Sequence, residues 1–229
     1  MMLSHYHLNN PLLFDGSSIN VLVIENRKML AEMIQELSSQ ISGYQGKFYF
    51  YQDGAEMSIS EKIALMVDPF SMELNERDIL NKLYSKIKLD ALGEEQYVAT
   101  CSMLTEIERR IQELMNRQSA MLESSSLDII TILRSMNVVF APSESLLERL
   151  CDYIDVYSEY RKIALFVFVN IKSYFCEEDL ELFYSHLTYH KKNVLLLERS
   201  ESPILSQEKV TIVDDDLCEI CLSENGNKY

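Results

Sequence analysis

The turn that follows the apolar segment "INVLVI" (19–24) is the first place where this sequence could hold a phosphate group. Nucleotide-hydrolysing α/β proteins close this turn with G-x-x-x-x-G-K-[ST], because glycines let backbone amides approach the phosphates. The turn here begins "ENRKMLAE", and the whole chain contains six glycines. Arg27 and Lys28 could form an anion site at the start of a helix, or they could be two solvated bases.

A second apolar segment, "IALFVFVN" (163–170), ends where many nucleotide-binding folds place an acid that holds magnesium. Its run of Ile, Leu, Phe and Val predicts a parallel strand that is buried on both faces. The last residue is Asn170, an amide instead of a carboxylate. Together with the missing phosphate loop, this amide predicts a scaffold of the nucleotide-binding type that has no enzymatic activity and binds no nucleotide.

Residues of metal-ligating type lie near the C-terminus. Cys218 and Cys221 form a C-x-x-C, which could bind zinc or act in redox chemistry. A zinc site would need two more ligands at similar spacing, and the sequence offers none nearby, so the pair could also be two half-buried thiols. The acids 214–216 could bind a divalent cation through oxygen, although acids in loops are commonly solvated. Five scattered cysteines predict no disulfide framework.

The clustered bases lie in the middle of the chain, on two segments with helical periodicity. They are Lys82, Lys86, Lys88, Arg109, Arg110 and Arg117. Acids precede three of these bases by four residues, at Asp78, Glu106 and Glu113, which predicts ion pairs within each helix. The bases could therefore bind nucleic acid, or they could belong to a solvated helix face.

The overall charge is acidic, with 21 bases and 36 acids, or −15. Binding to phosphate depends on basic side chains that lie together on the surface, and not on the net charge of the whole chain. Residues 198–229 hold eight acids and three bases, a net of −5, whereas 76–117 hold eight acids and seven bases, a net of −1. The middle of the chain is thus the segment best suited to meet phosphates. We find no bilayer-length apolar run and no secretory signal, and we expect a cytoplasmic protein.

The elements that must position these residues alternate between strands and helices. Segment 19–26 predicts a strand, 27–41 an amphipathic helix, and 47–54 a second strand that ends in an Asp-Gly turn. Asn26 is a suitable N-cap for the helix. The first fifty residues therefore predict a β-α-β unit.

Helical periodicity is nearly continuous from about 78 to 136 and is broken at "LGEE" and "ESSSLD". Strands and helices then alternate again. The predicted segments are a short strand 138–140, a helix from Pro142, a strand 163–169, a helix 177–189, a strand 193–198, and terminal strands in "KVTIVDDD" and "LCEICL". We predict a discontinuous α/β head domain with a mostly parallel sheet, 1–65 and 137–229, and an inserted all-helical leg domain, 66–136.

Three segments, "INVLVIEN", "SEYRKIALFVFVNIKSYFCEEDL" and "NVLLLER", resemble the Csn-two family, the small adaptation protein of type II-A CRISPR systems. Their order and spacing fit that family, as does a helical insertion before the Val-Asn strand. The resemblance covers nearly all of 12–217.

This resemblance implies a degenerate P-loop-like head, a helical leg and a homotetrameric ring. In that family the ring is not a nuclease. The resemblance implies that it threads double-stranded DNA ends through a channel lined by basic side chains and acts in spacer acquisition in antiviral defence, beside the integrase pair and the effector nuclease. Such a ring can be acidic outside and basic inside, which makes the six clustered bases the DNA-binding candidates.

The family also implies calcium, held by acids in the segment between two leg helices. That segment reads "LESSSLD" here, so Glu123 and Asp128 are the predicted ligands and serines replace the other acids. Two alternatives from other functional classes stay open. One is a nucleotide-binding hydrolase or kinase with an atypical phosphate loop, and the other is a protein-interaction scaffold.

Overall fold

The strands of the computed structural model, which describes residues 1–222, form two separate sheets. The ten strands of this part of the chain are β1 (Met2–His5), β2 (Leu12–Leu13), β3 (Ile19–Ile24), β4 (Phe48–Gln52), β5 (Ala55–Met57), β6 (Ile63–Met66), β7 (Leu165–Val169), β8 (Val194–Glu198), β9 (Glu208–Val213) and β10 (Glu219–Leu222). Four of them make an antiparallel sheet in the order β2-β1-β4-β5. The other six make a sheet in the order β10-β9-β3-β8-β7-β6.

The six-stranded sheet is mostly parallel. β3 pairs in parallel with β8 on one side and β9 on the other, and β7 and β6 continue the parallel order. β10 pairs antiparallel with β9 at one edge. β3, β7 and β8 are buried along their whole length, as their unbroken apolar runs predicted. The predicted mixed α/β fold with a mostly parallel sheet is thereby confirmed.

The helices within residues 1–222 are α1 (Arg27–Ile41), α2 (Ile59–Lys62), α3 (Arg77–Ala91), α4 (Tyr97–Met115), α5 (Ile129–Ser135), α6 (Leu146–Val156) and α7 (Glu177–Tyr189). A π-helical turn, Tyr157–Arg161, extends α6, and a 3-10 turn, Ile171–Tyr174, follows β7. None of these helices is long and apolar enough to cross a bilayer.

Side-chain caps fix the starts of the helices that flank the sheet. Asn26 Oδ1 accepts a hydrogen bond from the Met29 amide at 3.1 Å, which confirms the predicted N-cap of α1. Ser145 and Glu148 form a reciprocal capping box at the start of α6. Three acids in the first turn of α7 are favourably placed against the helix dipole. The two caps fix where α1 and α6 begin, and the acids of the first turn stabilise the start of α7.

The backbone divides the chain into two compact units. The α/β unit comprises 1–72 and the chain from 143 onward, and the helical unit comprises 73–142 with α3, α4 and α5. The predicted division into a head domain, 1–65 and 137–229, and an inserted leg domain, 66–136, stays a prediction. The last residues of the predicted head, 223–229, lie outside the described part of the chain.

The prediction of a β-α-β unit in the first fifty residues is wrong in its second strand. β4 pairs with β1 and β5 in the antiparallel sheet, and the strand that extends the parallel sheet is the later β6. Apolar periodicity predicts a strand but not the sheet that it joins. The predicted Asp-Gly turn is present, since Asp53 and Gly54 both have positive φ angles, 52° and 81°, between β4 and β5.

The predicted strand at 138–140 is also wrong, because side chains satisfy its backbone. Asn75 accepts from the Phe140 amide at 2.8 Å and donates to the Phe140 carbonyl at 3.1 Å. The Tyr84 hydroxyl donates to the Val138 carbonyl at 2.8 Å. This extended segment of the helical unit therefore lies against side chains and joins neither sheet.

Candidate nucleic-acid interface

Helix α3 carries three of the six predicted DNA-binding residues. Lys82 and Lys86 lie one helical turn apart and are exposed, and Lys88 is half-buried. The Lys88 ammonium lies 3.9 Å from Asp128 Oδ2. One predicted DNA-binding residue is thus beside one predicted metal ligand in the same helical unit.

Helix α4 carries Arg109 and Arg110, whose charges are offset by acids of the same helix. Arg109 contacts Glu106 at 2.6 Å and also pairs with Glu113. Arg110 pairs with Glu113 at 2.9 Å. The hydrogen bond from Arg109 lowers the pKa of Glu106, so this carboxylate stays charged near neutral pH. Two bases and two acids sum to zero, and this cluster contributes little net attraction for phosphate.

Among the described residues, none of the three predicted i,i+4 ion pairs is present: Asp78 with Lys82, Glu106 with Arg110, or Glu113 with Arg117. Helix α4 ends at Met115, so Arg117 lies in the turn beyond it and is not held one helical turn from Glu113. Glu113 pairs with the preceding turn instead. Lys82 and Arg117 are exposed and make no ion pair with any residue that the structure describes. These two bases retain a charge that nearby acids do not offset.

The segment between α4 and α5 contains the two predicted calcium ligands. Asp128 is the N-cap of α5, and its Oδ1 accepts from the Thr131 amide and hydroxyl, each at 2.7 Å. The hydroxyl bond contributes most to lowering the pKa of Asp128. Glu123 is exposed on the same segment. Two carboxylates supply at most four oxygens, fewer than the six to eight that calcium prefers, so a site here requires further ligands.

The turn after β3 is closed by a side chain. Asn26 caps α1 and also donates from Nδ2 to the Asp215 carbonyl at 3.3 Å. Arg27 and Lys28 are exposed, and Lys28 lies 3.8 Å from Glu32. The side chain of Asn26 thus lies in the turn where a phosphate-binding loop would lie.

Asn170 has an analogous structural use at the end of β7. Its backbone is left-handed, with φ 53°, and its Oδ1 accepts from the Arg199 amide at 3.0 Å. Its own amide donates to the Leu197 carbonyl at 2.9 Å. Asn170 therefore ties the end of β7 to the end of β8.

The acid and cysteine candidates near the C-terminus form a turn. Asp214 accepts from the Cys218 amide at 2.8 Å and donates its own amide to the Cys218 carbonyl at 3.1 Å. Cys218 and Cys221 are exposed and free, so the expectation of half-buried thiols is wrong. Among residues 1–222, neither they nor 214–216 belong to a group of three or more metal-ligating side chains.

The long helix of the helical unit exposes its apolar face. Helix α4 buries no residue, and the spacing of its apolar side chains places them on one side. Their exposed fractions are Met103 45%, Ile107 38%, Ile111 46% and Leu114 42%. An apolar helix face of this kind favours contact with another surface.

One cluster was missed from the sequence. Asp155, His186 and His190 bring their ligand atoms within 4.8 Å of one another in the α/β unit. The H-x-x-x-H spacing in a predicted helix was the available signal.

Comparison with known proteins gives one family match. Residues 40–217 match the family described as CRISPR-associated protein (Cas_Csn2). The chain is also similar to a solved structure from Pyrococcus furiosus described as an ABC transporter (ATP-binding protein), at 11% identity and a TM-score of 0.38, over 92% of this chain and 97% of that chain. At that TM-score the likeness supports no argument. No curated protein matches the sequence.

Proposed function

The chain belongs to the Cas_Csn2 family of CRISPR-associated proteins, and from that premise we propose a non-catalytic homotetrameric ring that binds double-stranded DNA ends during spacer acquisition. Its partners would be the DNA, three further copies of the chain, the CRISPR integrase pair and the effector nuclease. The observation that carries the proposal is the composition of the exposed surface of the helical unit. That unit combines unpaired bases with an exposed apolar helix face in an otherwise acidic chain.

Self-association is supported by α4. A helix that buries none of its residues gains little from its own unit and is stabilised when its apolar face is covered. The stripe from Met103 to Leu114 has one apolar side chain in each helical turn, and a second copy of the helix would offer a matching surface.

DNA contact is supported by the distribution of unpaired charge. Lys82, Lys86, Lys88, Arg109, Arg110 and Arg117 all stay candidates for the channel. We rank Lys82 and Arg117 first, because no acid among the described residues offsets their charge. Arg109 and Arg110 rank lower because two glutamates neutralise them.

The absence of catalysis is supported by Asn26 and Asn170. Both amides lie where a degenerate P-loop-like head would otherwise bind phosphate or magnesium, and both make structural hydrogen bonds. A nucleotide hydrolase or kinase with an atypical loop is the alternative. It predicts a rise of several degrees in melting temperature with saturating ATP and magnesium, whereas our proposal predicts no change.

Calcium is proposed as a stabiliser of the ring. Glu123 and Asp128 would each contribute oxygens, and the remaining ligands would come from another copy or from water. In this arrangement the ion belongs to the assembly and not to one chain.

The test compares linear duplex DNA with a covalently closed circle of equal length at two salt concentrations. A ring that threads ends binds the linear form and binds the circle poorly, and its affinity is independent of sequence and falls steeply with salt. Equal affinity for both forms would reject threading. No binding to either form would favour the protein-interaction scaffold.

Substitutions test which basic residues contact the DNA. Lys82→Ala combined with Arg117→Ala should reduce the slope of log K against log salt by about one unit for each phosphate contact that is lost, and a ring of four copies loses a base at each of these two positions in every copy. The matched control is Arg27→Ala with Lys28→Ala, two exposed bases of the α/β unit, which should leave the slope unchanged. An unchanged slope in the first variant would reject these two residues but not the ring.

A further inference from the structure

Two histidines one helical turn apart face a carboxylate of a neighbouring helix in the α/β unit. His186 lies in the last turn of α7 and His190 is its C-cap, with ring centroids 4.5 Å apart. Asp155 lies near the end of α6, which packs against α7. His186 Nε2 is 3.2 Å from Asp155 Oδ2, and the ligand atoms of all three residues lie within 4.8 Å of one another.

The His186 ring has an unsatisfied atom in this cluster. Its Nε2 is buried and, despite its proximity to Asp155, has no hydrogen-bond partner of acceptable geometry among the described residues. Buried polar atoms without a partner are rare in folded proteins and commonly indicate an ion or water. A cation placed between Nε2 and Oδ2 would satisfy both atoms.

The ligand types select the metal. Imidazole nitrogen together with carboxylate suits Zn²⁺, whereas calcium and magnesium prefer oxygen ligands throughout. Zinc bonds of about 2.0–2.2 Å in a tetrahedron place neighbouring ligand atoms about 3.3 Å apart. The separation of 3.2 Å between His186 Nε2 and Asp155 Oδ2 is close to this value. His190 is exposed at the helix end, where its side chain is able to rotate towards the ion.

The surroundings of the cluster favour a cation and orient the carboxylate. The Lys192 ammonium lies 3.1 Å from Asp155 Oδ1, which leaves Oδ2 for the metal. The carboxyl end of α7 carries the negative end of the helix dipole.

We propose that Asp155, His186 and His190 bind a zinc ion, with water in the fourth position. The ion joins the carboxyl end of α7 to α6 and stabilises this side of the α/β unit. The site is independent of the DNA-binding proposal, since its residues belong to the α/β unit and its ligands differ from those proposed for calcium.

The test is calorimetric titration of the metal-stripped full chain with zinc chloride at neutral pH. The wild type should bind one zinc per chain at this cluster, and His190→Ala should weaken binding at least tenfold. Asp155→Asn should weaken it in the same direction. The matched control, His7→Ala, removes an exposed histidine elsewhere and should bind as the wild type does. An affinity in His190→Ala equal to that of the wild type would overturn the proposal, as would no zinc binding by the wild type.

Cobalt substitution separates this cluster from the C-x-x-C. A histidine–carboxylate site gives visible cobalt bands without a thiolate charge-transfer band, and Cys218→Ser with Cys221→Ser should leave the spectrum unchanged. A thiolate band that disappears in the cysteine variant would assign the metal to Cys218 and Cys221 and overturn the proposal. Calcium chloride should not displace the cobalt.

Discussion

Glu198 ends strand β8 as a buried carboxyl group and makes the stability of the α/β unit depend on pH. Burial raises its pKa to about 7, although the Lys172 amide donates to its Oε1 at 3.1 Å. The Lys172 ammonium and the Tyr184 hydroxyl both contact Glu208 instead, each at 2.7 Å. The Lys172 ammonium therefore stabilises mainly the Glu208 carboxylate. For Glu198, burial disfavours the charged form more than Lys172 stabilises it.

The Glu198→Gln variant should remove this pH dependence. The folded-state pKa of about 7 exceeds the ordinary 4.5, so wild-type stability is lost as pH rises from about 4.5 through 7. Relative to the wild type, the variant should gain up to about 3 kcal/mol between pH 4.5 and pH 8, since each pKa unit is worth about 1.36 kcal/mol. Urea unfolding across this range measures the change. Glu201→Gln, at an exposed glutamate, is the control, and curves for Glu198→Gln that parallel the wild type would contradict the assignment.

The sequence identified six basic residues as candidates for DNA binding, but it did not show which of them are neutralised by ion pairs. The i,i+4 rule predicted Glu113 with Arg117, and the pairing failed because α4 ends two residues before that arginine. Similarly, Asn170 was recognised as an unusual strand end, but its bond to the Arg199 amide depends on two strands being neighbours in the sheet. Such partners are set by helix ends and by tertiary contacts, which local spacing does not contain.

Helix α4 is the element whose sequence and environment disagree most. Its helical periodicity was recognised in the sequence, yet within the described chain its apolar face remains partly exposed. The buried elements were also predictable, because α1 and α7 have helical periodicity with polar residues at their starts, and β7 and β8 are apolar runs with polar ends. The antiparallel sheet was not, because its short strands owe their pairing to contacts between β1 and the distant β4.

Placing charge on the apolar stripe should break the assembly without unfolding the chain. Ile107→Asp with Ile111→Asp puts two carboxylates on a face that we propose is covered by another copy. Light scattering should then give a monomer, whereas the wild type should give about four times 26.6 kDa. Thr105→Asp adds a charge on the opposite side of α4 and should keep the wild-type mass. A tetramer that survives the double substitution would show that α4 does not form the contact.

The net negative charge of the whole molecule opposes DNA binding unless basic side chains are concentrated on one part of its surface. A net charge of −15 disfavours binding to DNA over most of the surface. The helical unit contains two exposed bases, Lys82 and Arg117, that make no ion pair with a described residue, and an assembly that encloses them would present basic side chains inward and acids outward. We therefore expect the assembly to enclose the DNA as well as attract it.

The most direct measurement of enclosure is retention on DNA whose ends are blocked after loading. The protein is loaded on linear duplex with biotin at both ends, streptavidin is added, and the complex is washed at about 1 M salt, where electrostatic attraction extends only about 3 Å. We predict that protein stays on the blocked DNA, leaves unblocked DNA, and fails to load when streptavidin is added first. Equal loss from blocked and unblocked DNA, or equal loading on DNA blocked beforehand, would contradict the ring.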